Sequence, residues 1–213
     1  MPHPPRTGVL LAGGGSTRFG GVPKGLAILG DRRLADWPLQ QLDATCDEVL
    51  VAANDPAAES WFPAHRVVRD IEPGRGALGA LETALRHARH ETVLVCAWDM
   101  PFVTAATLSA LATEVERGAS CCVPEHADGA LEPLCAAYAQ RNGALVSQLL
   151  RDGERAAHAL LAAAQGRTWL VAQHLGNAEG LRIFSNVNTA DELRDASRLL
   201  ADGANASRRE SCL

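Results

Sequence analysis

Aromatic residues, basic clusters and long apolar runs are all scarce in this chain of 213 residues. Aromatics make up 4% of the sequence, and because alanine and leucine dominate instead, helices packed on a sheet are favoured over a β-sandwich. The formal net charge is −5 and no basic run is present, so we expect no nucleic acid and no anionic membrane as a partner. The first apolar run, at residues 9–12, is also far too short to span a membrane.

Cysteine pairs of the kind that bind metals or catalyse redox exchange are lacking as well. Six cysteines are present, but no two have the C-x-x-C spacing of a zinc knuckle or a thioredoxin motif. Residues 1–7 contain three prolines and no apolar core, unlike a secretory signal. We therefore expect reduced, structural thiols and a cytoplasmic location.

Short apolar runs alternate with helix-like stretches along the first half of the chain. The runs predict buried strands and the stretches predict helices, with Thr104 as an N-cap and Gly118 as a helix stop. The predicted strands are at residues 8–12, 48–53, 66–69 and 92–97, and the predicted helices are at residues 37–44, 77–89 and 104–117. This alternation indicates a three-layer, Rossmann-like α/β fold with a mostly parallel sheet and helices on both faces.

The second half of the chain is less regular. The predicted strands there are at residues 120–123, 134–138, 169–172 and 181–184, and the predicted helices are at residues 143–151, 156–164 and 189–200. No internal repeat or long linker divides the chain, so we expect a single domain over residues 1–202. Residues 203–213 are mostly polar or small and are predicted to form a flexible tail.

The most informative stretch is the glycine-rich segment at residues 11–24, which reads LAGGGSTRFGGVPK and directly follows the first predicted strand. Open α/β sheets bind ligands at this edge, and glycines let backbone N–H groups approach a phosphate closely. Arg18 and Lys24 would add two positive charges. Neither familiar phosphate motif fits, because a P-loop needs lysine after Gly20 and a dinucleotide fingerprint needs glycine at position 18. The alternative is a flexible turn with exposed basic residues.

Three polar residues follow other predicted strands at the same edge of the sheet. Asp99 comes after the strand at 92–97, Asn54 after the strand at 48–53, and Asp70 after the strand at 66–69. A single carboxylate suits Mg²⁺, which takes one or two carboxylates and completes its shell with water and substrate phosphates. These residues therefore predict a magnesium site at Asp99. The alternative for each is a helix cap or an Asx turn.

Together these segments resemble the MobA-like NTP transferase family, and within it the molybdenum cofactor guanylyltransferases. The family's glycine-rich signature, which begins L-A-G-G and ends in lysine, is matched by residues 11–24, with Phe19 in place of methionine. The family's D-M-P, E-P-L and N-V-N-T elements are matched by residues 99–101, 132–134 and 186–189. The resemblance extends from about residue 8 to about residue 200.

The resemblance implies an enzyme that transfers GMP from GTP to molybdopterin or its molybdate-loaded form, with Mg²⁺, releasing pyrophosphate and forming a guanine dinucleotide cofactor. It implies catalytic roles for Arg18, Lys24 and Asp99, with Mg²⁺ on Asp99, and protein partners in cofactor biosynthesis or among molybdoenzyme chaperones. The nucleotide contacts that it implies are Leu11, Ala12, Gly13, Gly14, Lys24, Asn54, Asp70 and Asp99, and the acceptor contacts are Asn186 and Asn188.

The chain also departs from the family pattern. Residues 76–80 read GALGA where the family commonly has G-P-L-A-G, and because this loop is expected near the base, the base preference stays open. Trp98 replaces a usually small residue, and Pro23 a usually polar one. The alternatives are a cytidylyltransferase, a sugar-phosphate nucleotidyltransferase, or a non-catalytic nucleotide-binding partner in cofactor delivery. The N-V-N-T element also has a simpler interpretation, an N-cap at Asn188 or Thr189.

Overall fold

The protein is described here from a computed structural model, which covers residues 3–13 and 22–210, with residues 203–210 as backbone only. The strands in this part of the chain are β1 (Arg6–Leu11), β2 (Ile28–Leu29), β3 (Arg32–Arg33), β4 (Glu48–Ala52), β5 (Arg66–Val68), β6 (Thr92–Ala97), β7 (Cys121–Glu125), β8 (Cys135–Ala139) and β9 (Arg167–Leu170). The helices are α1 (Asp36–Asp43), α2 (Ala58–Trp61), α3 (Gly76–His87), α4 (Ala105–Glu116), α5 (Gly143–Arg151), α6 (Ala159–Ala163), α7 (Val171–His174), α8 (Asn177–Ile183) and α9 (Ala190–Glu210).

Seven strands form one mostly parallel sheet in the order β5-β4-β1-β6-β8-β7-β9. Strand β1 pairs in parallel with β4 and β6, whereas β8 runs antiparallel to both of its neighbours, β6 and β7. Because β8 is reversed, its beginning lies at the same edge as the carboxyl ends of β1, β4, β5 and β6. That edge is where open α/β sheets bind ligands.

The sheet has a hydrophobic core on each face, and successive residues of β1 point into opposite cores. Val9 and Leu11 pack with leucines and valines of α3 and α5, while Leu10 and Ala12 pack with leucines of α1 and α4. These strand residues are almost fully buried, and each such valine or leucine contributes about 1.5–3 kcal/mol by leaving water. The predicted α/β fold, with a mostly parallel sheet and helices on both faces, is confirmed.

A third, smaller cluster lies beside the ligand-binding edge. It brings together Leu29 and Leu34 around the β2–β3 hairpin, Phe102 after β6, and Val187 and Ala196 from the last part of the chain. Three segments that are far apart in sequence are therefore packed against one another next to the end of β6. Each of these segments carries a residue of the site described below.

Local signals predicted both ends of α4 correctly. Helix α4 begins after Thr104, whose Oγ1 accepts a hydrogen bond from the backbone N–H of Thr107 at 3.1 Å. It ends before Gly118, which has a positive φ of 102°, a conformation that glycine adopts without strain.

Among the described helices, none combines the length and the apolar character needed to cross a membrane.

Four predicted elements differ from the structure. The strand predicted at residues 181–184 is wrong, because those residues lie in α8 and at its C-terminal end, where Ile183 and Phe184 are buried in the first core. The strand predicted at 169–172 occupies Arg167–Leu170 and is followed by α7. Helix α6 is shorter than the predicted 156–164, and α9 continues to Glu210 beyond the predicted end at residue 200. Flexibility of residues 203–213 stays a prediction.

Candidate active site

A cavity of about 750 Å³ opens at the edge where β1, β4, β5 and β6 end and β8 begins. Residues after each of these parallel strands line it, together with the first turn of α3 and the segment that leads into β8. A volume of this size lies within the range typical of small-molecule sites. The sheet therefore places its polar strand ends around one common space.

Asp99 lies at the centre of this edge, directly after β6. Asp99 is 6% exposed, and its carboxylate forms an ion pair with the Lys24 ammonium group. The backbone carbonyl of Asp99 accepts a hydrogen bond from Val187 N–H at 2.9 Å, which ties the end of β6 to the segment that precedes α9. A buried carboxylate with a cationic partner is thus held at the cavity wall.

Lys24 connects Asp99 to the N-V-N-T segment. Its Nζ also donates a hydrogen bond to Oδ1 of Asn188 at 2.8 Å, and it belongs to a short 3₁₀ turn, Lys24–Leu26. The next residue, Gly25, lies flat against the indole ring of Trp98: a Cβ at this glycine would be 2.2 Å from Cε3 of the tryptophan. Trp98 is 2% exposed, and its Nε1 finds no hydrogen-bond partner in the described part of the chain.

The N-V-N-T segment ends in a capping box. Thr189 Oγ1 accepts a hydrogen bond from Glu192 N–H at 3.2 Å, and Oε2 of Glu192 accepts from the N–H groups of Asn188 and Thr189 at 2.6 and 2.8 Å. These reciprocal bonds satisfy orphan donors at the start of α9. The capping interpretation is therefore correct for Thr189, while Asn188 presents its side-chain oxygen to Lys24, so the two readings of this segment are compatible.

The opposite end of the cavity is formed by strands β4 and β5. The side chain of Asn54 donates to Oδ2 of Asp70 at 2.7 Å and accepts from the Asp70 N–H at 2.9 Å. Helix α3 begins beside this pair, at Gly76, with a φ of 67°, and Leu78 N–H donates to the Arg155 carbonyl at 3.0 Å. Polar groups on rigid strand ends therefore line this half of the cavity.

A third carboxylate, Glu132, lines the cavity from the segment before β8. Its Oε1 lies 3.1 Å from Nε2 of His126, within hydrogen-bonding distance. Burial raises the pKa of the Glu132 carboxyl above its ordinary value, the hydrogen bond and charge of His126 oppose this shift, and the nearby charge of Asp99 adds to it. The carboxylates of Glu132 and Asp99 are thus close enough for their negative charges to repel each other.

The structure brings most of the predicted site residues to one place. Ala12 is buried in the core, its N–H bonded to the Ala52 carbonyl at 2.8 Å, and Asn188 contacts Lys24. Gly14 and Arg18 lie outside the described residues. The predicted residues that line the cavity are Leu11, Gly13, Lys24, Asn54, Asp70, Asp99 and Asn186.

Sequence reasoning missed several residues of the site. The E-P-L match is a signal for Glu132, but the sequence assigns no role to Glu132 or His126 and marks Trp98 only as a departure from the family pattern. His158 also lines the cavity, and the sequence gives no sign of it. Among the residues that the structure describes, no group of three or more histidine, cysteine, aspartate or glutamate side chains could hold a metal ion.

Comparison with known proteins agrees with this geometry. The MobA-like NTP transferase domain matches residues 8–194. The chain belongs to this family. A molybdenum cofactor guanylyltransferase of Desulfosudis oleivorans is 30% identical over 197 residues, covering 92% of this chain and 96% of the relative. A probable molybdenum cofactor guanylyltransferase of Chloroflexus aggregans is 36% identical over 159 residues, covering 73% and 76%.

A solved structure shows the same fold. The molybdopterin-guanine dinucleotide biosynthesis protein A of Archaeoglobus fulgidus superposes with a TM-score of 0.76 at 25% identity, covering 92% of this chain and 99% of the other. Membership of the MobA-like NTP transferase family makes the chain a nucleotidyltransferase and suggests dependence on a divalent metal. The resemblance read from the glycine-rich, D-M-P and N-V-N-T segments is confirmed.

Proposed function

We propose that this nucleotidyltransferase moves GMP from GTP to molybdopterin or its molybdate-loaded form, making the guanine dinucleotide cofactor and pyrophosphate. The observation that carries the proposal is the Lys24–Asp99–Asn188 cluster at the cavity wall, where residues from three distant segments meet. The names of the relatives, molybdenum cofactor guanylyltransferases, supply the two substrates.

The order of the strands suggests how the two substrates are arranged. Five neighbouring strands of the sheet, in the order β5-β4-β1-β6-β8, each have one residue of the site at this edge. In that order the residues are Asp70, Asn54, Gly13 and Asp99, each after its strand, and Glu132, which precedes β8. Neighbouring strands are about 4.8 Å apart, so Asp70 and Asp99 are separated by three spacings, or about 14 Å along the edge. The nucleoside would lie toward Asn54 and Asp70, its α-phosphate near Asp99, and the acceptor beyond β6, near Asn186.

Neutralising charge is the main task in this reaction, because the acceptor phosphate and the nucleotide phosphates are all anions. A lysine about 4 Å from a phosphate oxygen is worth roughly 4 kcal/mol at an effective dielectric constant of 20, before desolvation. Lys24 is positioned to supply that charge, and we assign a second cation to Arg18 from the sequence motif. A phosphate oxygen is already ionised near neutral pH, so its attack needs no general base.

Asp99 would hold the divalent cation, which we propose to be Mg²⁺. The fit rests on its single oxygen-donor carboxylate, buried to 6% exposure and facing the cavity. When bound, Mg²⁺ would neutralise charge on the α-phosphate and the leaving pyrophosphate. Lys24 forms an ion pair with Asp99, and Asn188 gives the lysine a second hydrogen-bond acceptor. Lys24 can therefore exchange Asp99 for a substrate phosphate.

The cytoplasm is the location we propose. The cysteines that the structure describes are all free thiols, and burial raises the pKa of Cys46 and of Cys122 to about 12. Such buried, protonated thiols suit a reducing compartment. We further propose that the product passes to cofactor-biosynthesis proteins or molybdoenzyme chaperones, as the resemblance implies.

Calorimetric titration with GTP, CTP, ATP and UTP, with and without Mg²⁺, tests the nucleotide half of this proposal. We expect GTP to bind most tightly and Mg²⁺ to strengthen its binding. Asp99→Asn provides the matched control, since it should abolish the effect of Mg²⁺ while leaving binding of the nucleoside end. Preference for CTP would refute guanylyl transfer while preserving the mechanism, and absence of binding by every nucleotide would refute the proposed site.

A further inference from the structure

The Glu132–His126 pair forms a polar group in the cavity that the reaction described above does not use. His126 is held between the Glu132 carboxylate, with Nε2 at 3.1 Å from Oε1, and the ring of Phe184, which it meets edge-on at a centroid distance of 5.7 Å. The side chains of His126 and Glu132 are 12% and 23% exposed. This carboxylate therefore has a fixed orientation rather than the freedom of a surface glutamate.

Both oxygens of that carboxylate can still accept a hydrogen bond, because each has two lone pairs. Oε1 is engaged by His126, whereas Oε2 makes no hydrogen bond to any residue in the part of the chain that the structure describes. Because Oε2 has no partner among these residues and yet is not a fully buried atom, it is accessible, and Glu132 lines the cavity. A carboxylate of this kind can accept two further hydrogen bonds, one at each oxygen, from a ligand in the cavity.

The position of Glu132 along the edge selects between the two substrates. Strand β8 lies next to β6, on the side away from β1, β4 and β5, and Cys135 at its start is in register with Cys96 near the end of β6. Glu132 is therefore one strand beyond Asp99, about 5 Å further along the edge. The Asn54–Asp70 pair lies on the other side of Asp99, so Glu132 faces the acceptor half of the cavity.

The charge of Glu132 limits what it can bind there. An anionic phosphate of the acceptor would be repelled by a carboxylate, and the more so beside Asp99. A neutral heterocycle with adjacent N–H donors would be attracted instead, because charge-assisted hydrogen bonds to a carboxylate are among the strong ones. The ring of a pterin presents such a pair, the N–H of its pyrimidinone ring and the adjacent exocyclic amino group.

We propose that Glu132, oriented by His126, binds the aminopyrimidinone face of the acceptor's pterin ring and so determines which acceptor the enzyme accepts. This inference rests on the proposed function, because it takes the pterin acceptor from it. Glu132 contacts substrate but makes and breaks no bond, and His126 is a positioning residue that acts through it. The phosphate of the acceptor then points back toward Asp99 and Lys24.

Glu132→Gln is the direct test, because it keeps the size of the side chain and its bond to His126 while replacing one acceptor oxygen with a donor. Losing a hydrogen bond to a charged group should raise the KM for molybdopterin by about 10- to 100-fold. The dissociation constant for GTP, measured by calorimetry, should stay within about twofold of the wild-type value. Glu125→Gln, in β7 and outside the cavity lining, is the matched control and should change neither quantity.

A binding measurement separates recognition from catalysis. A pterin carrying a phosphomethyl chain serves as the probe, and its own fluorescence reports binding without turnover. We expect Glu132→Gln to weaken binding of this pterin by the same factor as KM, and His126→Gln to weaken it by a smaller factor. Thermal unfolding of each variant checks that the fold is intact, and His126→Gln gives a second result if Glu132→Gln fails to fold.

The outcomes distinguish this inference from the proposed function. If the wild-type enzyme turns over molybdopterin and the KM for molybdopterin is unchanged in Glu132→Gln, the inference alone is overturned. A tenfold loss of GTP affinity in that variant would also overturn it, because Glu132 would then belong to the nucleotide half. No wild-type turnover of molybdopterin, with GTP binding intact, would refute the proposed acceptor and with it the pterin contact.

Discussion

The contact between Gly25 and Trp98 leads to a sharp prediction about the alignment of the active site. A methyl group added by Gly25→Ala would lie 2.2 Å from Cε3 and 2.5 Å from Cδ2 of the indole. Carbon atoms normally approach no closer than about 3.5 Å, so the turn and the ring must separate by about 1 Å. Trp98 is 2% exposed and cannot move away into solvent.

This separation acts directly on the Lys24–Asp99 ion pair, because Gly25 follows the lysine and Trp98 precedes the aspartate. We expect Gly25→Ala to lower kcat by about 100-fold, the order of effect that a misplacement of about 1 Å can have. Overpacking should also destabilise the fold by about 1–3 kcal/mol. The first quantity is measured as the rate of pyrophosphate release, and the second by urea unfolding.

Two further variants decide whether the contact is the cause. Gly143→Ala is the matched control, because a Cβ at this position meets nothing within 4 Å and its φ is −53°, so activity and stability should be retained. In a Trp98→Ala background the added methyl group has room, and Gly25→Ala should then cost little further activity. An equal loss in both backgrounds would refute the reasoning, since the two effects would be independent.

Three other predictions follow from the site. Asp99→Asn should lower the rate by about 100-fold or more, and near-normal turnover by the folded variant would contradict the metal assignment. Thr189→Ala removes the side-chain cap of α9 and should cost about 1 kcal/mol in urea unfolding, whereas an unchanged midpoint would show that the cap is dispensable. Because burial raises the folded-state pKa of Glu132, its contribution to stability should be greatest below its unfolded-state pKa and be lost as the pH rises through the folded-state value. Urea unfolding of wild type and Glu132→Gln across that range checks the sign: the stability of wild type relative to the variant should fall as the pH rises, and a relative stability that rises with pH would contradict it.

Local chemistry made much of the fold predictable from sequence. Thr104 and Gly118 bound α4 through a side-chain cap and a positive φ, both of which depend on the residue itself. The buried strands β1 and β6 were predictable because continuous apolar runs suit strands covered on both faces. Their parallel order then placed Asp99, Asn54 and Asp70 at one edge.

Other features depended on contacts between distant residues. The run that contains Ile183 and Phe184 is too short to distinguish a strand from a buried helix. In the structure it forms the end of α8, where Gly180 packs closely against Val171. The reversal of β8 has no local signal, yet it brings Glu132 to the active-site edge. The fit of Gly25 against Trp98 and the approach of Asn188 to Lys24 likewise follow only from the assembled fold.

Direct detection of the product tests the central claim most simply. The purified protein is incubated with GTP, Mg²⁺ and molybdopterin, and mass spectrometry is used to look for the guanine dinucleotide while pyrophosphate is measured in parallel. The account predicts equal amounts of dinucleotide and pyrophosphate, with almost none from Asp99→Asn. Binding of GTP without formation of either product, or products that form equally well in Asp99→Asn, would contradict it.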